Sequence, residues 1–302
     1  MKIEIKDLSQ VYKNDFRALS HVDLEINSGM FGLLGPNGAG KSTLMRILVT
    51  LLNPTHGDVF VNGMKLSDNR AEVRSYLGYL PQDFRFFSKL KTWEFLDYAA
   101  SLAGIRNKKQ RLEQVDDLLE QVGLFDFRNR FANKLSGGMK RRLGIAQALI
   151  GDPKIVVVDE PTTGLDPEER IRFRNILSNL SQREVIIVLS THIVGDISST
   201  CSQMALLNGG EVHFKGSPEQ FIKQTDGHVF KTNVTYEEMK LISEAYPIIT
   251  SVPEAGGYEV EFVANELNGW KADTITPSLE HAYVYFMEYI ANQKQVSNDI
   301  LI

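Results

Sequence analysis

A single cysteine, Cys201, stands in the 302 residues, so no internal disulfide can form. That fits a reducing compartment. Long apolar runs are missing too. The longest, IVVV at 155–158 and VIIVL at 185–189, fall far short of the roughly 20 residues a spanning helix needs. The start, MKIEIKDL, lacks the apolar stretch of a secretory signal. The chain is therefore expected not to cross a membrane by itself, although it can dock on a protein that does. There is no basic excess: 33 Lys and Arg face 38 Asp and Glu, a net charge of −5. That removes the electrostatic footprint of a nucleic-acid binder, and no nucleic acid is expected as partner. Internal repeats and low-complexity segments are absent. What remains is 43% apolar and 24% charged, ordinary for a globular chain of about two domains.

KIEIKDL and HVDLEIN alternate apolar and polar residues, as half-buried strands do. MFGLLG is a short apolar run ending in glycine. Leu44, Ile47, Leu48 and Leu51 then fall at helical spacing, and Asn53-Pro54 should stop that helix. GDVFVNG reads as another strand. Residues 88–150 have helical spacing and almost no strand signal, which predicts a helical insert. PKIVVVDEP, EERIRFRNILSNLSQ and REVIIVLSTH then read as strand, helix, strand. Continuous apolar strands separated by helices predict a parallel α/β sheet. Residues 1–220 are thus expected to form one domain, with an antiparallel β part and the helical subdomain. Residues 225–302 should form a small α+β accessory domain. It would contain the strand HVFKTNV, the helix TYEEMKLISEAY and a hairpin turning at Gly256-Gly257. A closing helix would turn Leu279, Ala282, Phe286 and Ile290 inward.

GPNGAGKST at 35–43 matches the phosphate-binding pattern G-x-x-x-x-G-K-[ST] through Gly35, Gly40, Lys41 and Ser42. Glycines let the backbone wrap phosphate oxygens so that successive N–H groups point inward. Pro36, Asn37, Gly38, Ala39 and Thr43 complete that wrap. The following helix N-terminus adds partial positive charge. Lys41 should reach the β- and γ-phosphates of ATP, and Ser42 should hold Mg²⁺. Asp159 and Glu160 end a buried strand, where ligand sites gather in open α/β sheets. Alone they would be acids that turn the chain. Downstream of a phosphate loop, Asp159 suits Mg²⁺ held through water, and Glu160 suits a base acting on the attacking water. A second glycine-bearing helix start, Ser136-Gly137-Gly138, repeats the anion-binding chemistry. Lys140, Arg141 and Arg142 after it read as a solvated basic face for at least two of the three.

LSGGM, placed before a hydrophobic strand ending in Asp-Glu, resembles the signature of the ATP-binding-cassette ATPases. The resemblance covers about residues 1–220, with the motifs in the family's order. It implies a P-loop NTPase fold and several further roles. Tyr12 would stack on adenine. Gln82 in YLPQD would touch Mg²⁺ and the attacking water. Gly164, Leu165 and Asp166 would form a loop crossing a dimer interface, with Asp166 near nucleotide. His192 would act as a switch on the γ-phosphate. A lone histidine after a strand is otherwise an ordinary satisfied residue. One departure is Met139, where the family usually has glutamine. Ser136 and both glycines, which carry the donors, are intact.

The resemblance also implies a pair of ATPase subunits, a homodimer in the first instance, each ATP touching Lys41 of one copy and Ser136 of the other. Phe84, Phe86 and Phe87 in DFRFF fall where the family receives a helix of a transmembrane permease; otherwise they are core aromatics. TPSLEHAYVYFME resembles the C-terminal motif of the multidrug and antibiotic export branch, in which the permease is a separate chain. The chain would then sit peripherally on the cytoplasmic face of the cell membrane. Two rivals stay open: a regulatory or sensor cassette gating a membrane protein, and an ATPase unconnected with transport. Translation members carry two cassettes and this chain has one phosphate loop. Repair members insert a long coiled coil, and the stretch from Gln82 to His192 is too short for one.

Overall fold

A computed structural model describes residues 1–13, 15–84 and 89–291. The chain divides into two compact units, Met1–Lys215 and Gly216–Ile302. In the first, β1 (Lys2–Val11) and β2 (Arg17–Asn27) lead to β3 (Gly29–Leu34), α1 (Lys41–Leu48), β4 (His56–Val61) and β5 (Met64–Lys65). Then come α2 (Arg70–Ser75), β6 (Leu77–Leu80), α3 (Thr92–Leu102), α4 (Lys108–Gln121) and α5 (Gly137–Ala148). The unit closes with β7 (Ile155–Asp159), α6 (Pro167–Ser181), β8 (Ile186–Thr191), α7 (Val194–Thr200), β9 (Gln203–Asn208) and β10 (Glu211–Gly216).

The alternating strands make a four-stranded sheet in the order β2-β1-β4-β5, antiparallel throughout. Ile3 and Ile5 of β1 and Val59 and Val61 of β4 turn one face into the core, as period-two alternation requires. The continuous apolar runs make a six-stranded sheet in the order β10-β9-β3-β8-β7-β6. Its β3, β7 and β8 pair in parallel, and β7 and β8 are buried along their whole length. Strands covered on both faces favour apolar residues throughout, which is why they read as apolar runs; Asp159, Ser190 and Thr191 come only at their carboxyl ends. Register places Leu34 beside Thr191 and Asp159 beside Ser190. The carboxyl ends of the three strands therefore meet at one edge, and the glycine loop leaves from the first of them.

Helix α1 follows that loop with Leu44, Met45, Ile47 and Leu48 buried. It stops one turn earlier than the apolar spacing predicts, and Leu51 is 66% exposed. Thr50 adopts a left-handed φ of 63°, and the Leu51 N–H donates back to Arg46 C=O at 2.8 Å. This closing bond ends the helix before Leu51 can turn inward. The 88–150 region holds α3, α4 and α5. Asn107 caps α4 by accepting from the Lys109 and Gln110 N–H groups. Arg111 of α4 pairs with Asp97 of α3 at 2.7 Å.

In the second unit, α8 (Pro218–Lys223) precedes β11 (Val229–Thr235), α9 (Glu238–Ala245), β12 (Ile248–Glu254), β13 (Gly257–Val263), β14 (Asp273–Thr274) and α10 (Leu279–Tyr285). Its sheet has the order β12-β13-β11-β14. Phe230, Val260 and Phe262 pack with Ile242 of α9 on one face. Val229 and Val263 pack with Tyr285 of α10 on the other. The β12–β13 hairpin turns through Gly256 at φ 92°, and a Cβ on Gly257 would lie 1.9 Å from Val234 O. Leu279, Ala282 and Phe286 are buried, and Ile290 is partly so, in a π-helical turn at Phe286–Ala291 that extends α10.

Candidate active site

The loop between β3 and α1 lines a cavity of about 380 Å³ with Asn37, Gly38, Ala39, Gly40, Lys41, Ser42 and Thr43. Phe16, Ala18, Gln82 and Glu160 complete the wall. Glycine is obligatory at two loop positions. A Cβ on Gly35 would lie 2.1 Å from Leu207 O, and Gly40 has a left-handed φ of 103° with its Cβ position 2.4 Å from Ala18 O. The backbone can thus come close to strand β9 and the β2 edge while curling round the cavity.

Lys41 begins α1 and is buried. Its Nζ donates to Gly35 O at 2.7 Å and Pro36 O at 3.1 Å, and it pairs with Glu160 Oε1 at 3.1 Å. Those three contacts use its three N–H donors. Glu160 is also buried and has a left-handed φ of 47°. Its N–H donates to both the main-chain oxygen and the hydroxyl of Ser190 at 3.1 Å. Its Oε2 meets His192 Nδ1 at 2.6 Å and accepts from Thr163 Oγ1 at 3.1 Å. Asp159 Oδ1 accepts from Ser190 Oγ at 2.5 Å and from Ser42 Oγ at 3.4 Å. The sheet order brings Lys41, Ser42, Gln82, Asp159, Glu160 and His192 to one place, although they span much of the chain.

Among the described residues no cluster of His, Cys, Asp and Glu could hold a metal unaided. Mg²⁺ asks for less: it binds through one or two protein oxygens, completing its shell with phosphate and water. The converging Ser42 hydroxyl and Asp159 carboxylate fit that donor set.

Tyr12 backs the cavity rather than lining it. Its hydroxyl lies 3.2 Å from Thr43 Oγ1, and its ring stacks on Phe16 with centroids 6.4 Å apart. Phe16 presents its ring, 53% exposed, at the cavity wall. Sequence reasoning missed it; the signal was a second aromatic in the turn between β1 and β2.

A neighbouring cavity of about 370 Å³ shares Gln82 and Glu160, and is lined by Gly137, Lys140, Arg141, Thr163, Gly164 and Leu165. Ser136, Gly138 and Asp166 line neither. Ser136 is exposed and caps α5, accepting from Met139 N–H at 3.2 Å. Asp166 caps α6, accepting from Glu169 N–H at 2.8 Å. Gly138 is buried, and a Cβ there would meet the Glu169 carboxylate at 2.4 Å. The basic trio is not the solvated face its composition predicts. Arg142 is 6% exposed, bonded to Glu169, Val122 O and Gly123 O. Arg141 is partly buried, and burial pulls its pKa down. Their neighbours supply carboxylate and carbonyl oxygens, which composition cannot reveal.

The parallel sheet and the glycine-loop cavity define a P-loop nucleotide-binding cassette. The family described as ABC transporter matches residues 19–163. Methionine import ATP-binding protein MetN of Latilactobacillus sakei is 33% identical, the match covering 86% of this chain and 79% of that protein. "Probable multidrug ABC transporter ATP-binding protein YbhF" of Escherichia coli is 34% identical over 74% of this chain and 38% of its own length. A dimeric post-hydrolysis structure of the ATP-binding cassette MJ0796, bound to ADP and Pi, superposes with a TM-score of 0.65 at 26% identity, covering 71% of this chain and 98% of that one. This chain belongs to the ATP-binding proteins of ABC transporters, and its chemistry is ATP binding and hydrolysis. No helix among the described residues is long and apolar enough to cross a membrane.

Proposed function

We propose that the chain powers a membrane permease carried on a separate polypeptide, working as a two-fold pair around two ATP molecules. The observation that carries this reading is the single cavity where the glycine loop, Lys41, Gln82 and Glu160 meet. A triphosphate there competes with Glu160 for the Lys41 ammonium, since all three of its donors are engaged. Transfer of Lys41 to phosphate frees Glu160 Oε1 to accept a proton from water. That water forms the new bond to the γ-phosphorus as the bond to the β,γ-bridging oxygen breaks, giving ADP and phosphate. His192, on the other carboxylate oxygen, orients the base. Gln82 lines the same cavity and would align the water. Ser42 and Asp159 would hold Mg²⁺, which when bound neutralises charge on the phosphate oxygens.

The place of Ser136 supports pairing. Within one copy it lines no cavity with Lys41, and in this reading the helix start that faces the γ-phosphate comes from a second copy. Asp166 and Gly164 would lie at that junction. The MJ0796 cassette is dimeric with ADP and Pi, which supports this arrangement. For the permease, the groove of about 440 Å³ lined by Leu77, Tyr79, Pro81, Phe84, Ala99 and Gln147 would take a helix with both apolar and polar side chains. Phe86 and Phe87 lie outside the described residues. Export is supported by the tail SLEHAYVYF and by similarity to YbhF, against the import role in MetN's name. The pair would sit peripherally on the cytoplasmic face of the cell membrane.

The test is Glu160→Gln in size-exclusion chromatography with MgATP. A dimer that accumulates with ATP, together with loss of hydrolysis, is the expected result. A monomer at saturating ATP sinks the two-fold model. Failure of the chain to co-purify with any membrane-spanning protein from its own cells sinks the permease assignment.

A further inference from the structure

We propose that Arg141 is a positioning residue that ties the turn of Gln82 and the strand end of Glu160 to helix α5 and so fixes both backbones for catalysis. The inference rests on the reading that Gln82 and Glu160 act on ATP. Arg141 lies in the second turn of α5 and reaches across to both segments. Its Nε donates to Pro161 O at 2.8 Å. Its Nη1 donates to Pro81 O at 3.2 Å and Gln82 O at 2.6 Å. Its Nη2 donates to Asp159 O at 3.2 Å and to Glu160 O. All five partners are main-chain carbonyls and none is a carboxylate.

That partner set is unusual for a cation taken partly out of water. Burial is the largest influence on this guanidinium, opposed by the nearby charges of Asp159, Asp83 and Glu160. An ion pair would hold one side chain, whereas bonds to carbonyls fix backbone. Glu160 needs such fixing: a left-handed conformation is strained for a residue with a Cβ and persists only where its surroundings over-determine it. Its N–H is held by Ser190 and its carbonyl by Arg141, so the peptide units on both sides of its Cα are clamped. The same guanidinium holds the carbonyl of Gln82, whose side chain lines the same cavity. One guanidinium therefore holds the backbone of both the water-aligning and the proton-accepting residue. Lysine cannot replace it, because its donors radiate from one nitrogen while the carbonyls lie around a planar fork.

The experiment compares Arg141→Lys, Arg141→Gly and Glu160→Gln in the full chain, with melting temperature and affinity for a fluorescent ATP analogue measured beside steady-state hydrolysis. Arg141→Lys should lose about tenfold or more in kcat, while KM and nucleotide affinity stay within about threefold. Guanidinium ion at millimolar, sub-denaturing concentration should restore part of the kcat of Arg141→Gly and none of that of Arg141→Lys, whose side chain fills the space. A merely structural arginine would lower kcat in step with the folded fraction and show no rescue, which overturns the inference. Parent-like hydrolysis by Arg141→Lys beside an inactive Glu160→Gln overturns it alone. Parent-like hydrolysis by Glu160→Gln overturns the catalytic reading and this inference with it.

Discussion

Replacing Lys41 by methionine keeps the length of the side chain and removes its charge. In the native structure the Lys41 ammonium and the Glu160 carboxylate lie 3.1 Å apart, each side chain only 5% exposed. Removing one partner of a buried pair costs about 3–5 kcal/mol, because the other charge stays out of water unpaired. Glu160 keeps His192 and Thr163, so the low end, about 3 kcal/mol, is expected here. Glu160→Gln should cost less, about 1–2 kcal/mol, since Lys41 keeps the carbonyls of Gly35 and Pro36. The double variant should fall short of the sum by about 1–3 kcal/mol, the coupling expected of residues in direct contact. Urea unfolding without nucleotide, followed by tryptophan fluorescence, measures this. The chain has two tryptophans, Trp93 in the first unit and Trp270 in the second, so a Trp270→Phe background reports the cassette alone. A Lys41→Met protein within about 0.5 kcal/mol of the parent, or losses that simply add, would show that the pair is not coupled in the fold.

Two further outcomes follow from the geometry. Phe16→Ala should weaken ATP binding by about 1–3 kcal/mol, the range of a lost base–aromatic stack, and more than Tyr12→Phe does; equal losses in a titration would show that Phe16 does not face the base. Burial pushes the Cys201 thiol from its ordinary 9.0 up to about 12. The folded state therefore holds that proton longer than the unfolded chain does. The resulting stability is complete below pH 9 and lost as pH rises towards 12. Cys201→Ser should flatten that alkaline decline in chemical unfolding, and the native thiol should resist maleimide at pH 8 until the chain is unfolded.

Much of the molecule could be read along the chain. The loop at 35–43, the buried runs of β7 and β8, and the helical character of 88–150 each follow from local spacing. Those patterns record which face of an element meets the core, and that is a property of neighbouring residues. The pattern failed at Leu51, where a left-handed Thr50 ended the helix before its last apolar position was used. It failed again at the basic trio, because the oxygens that surround Arg141 and Arg142 come from distant segments.

Spacing along the chain is enough to establish that a phosphate loop, two strand-end acids and a second glycine-bearing helix start occur in the order of a cassette ATPase. Only the folded arrangement shows that Lys41 grips Glu160, that Phe16 rather than Tyr12 lines the cavity, and that Ser136 lines no cavity with Lys41 within one copy. The reason is the order β3-β8-β7, which brings strand ends distant in the chain to one edge. Pairing between distant strands depends on the packing of the whole sheet, and spacing along the chain does not record it.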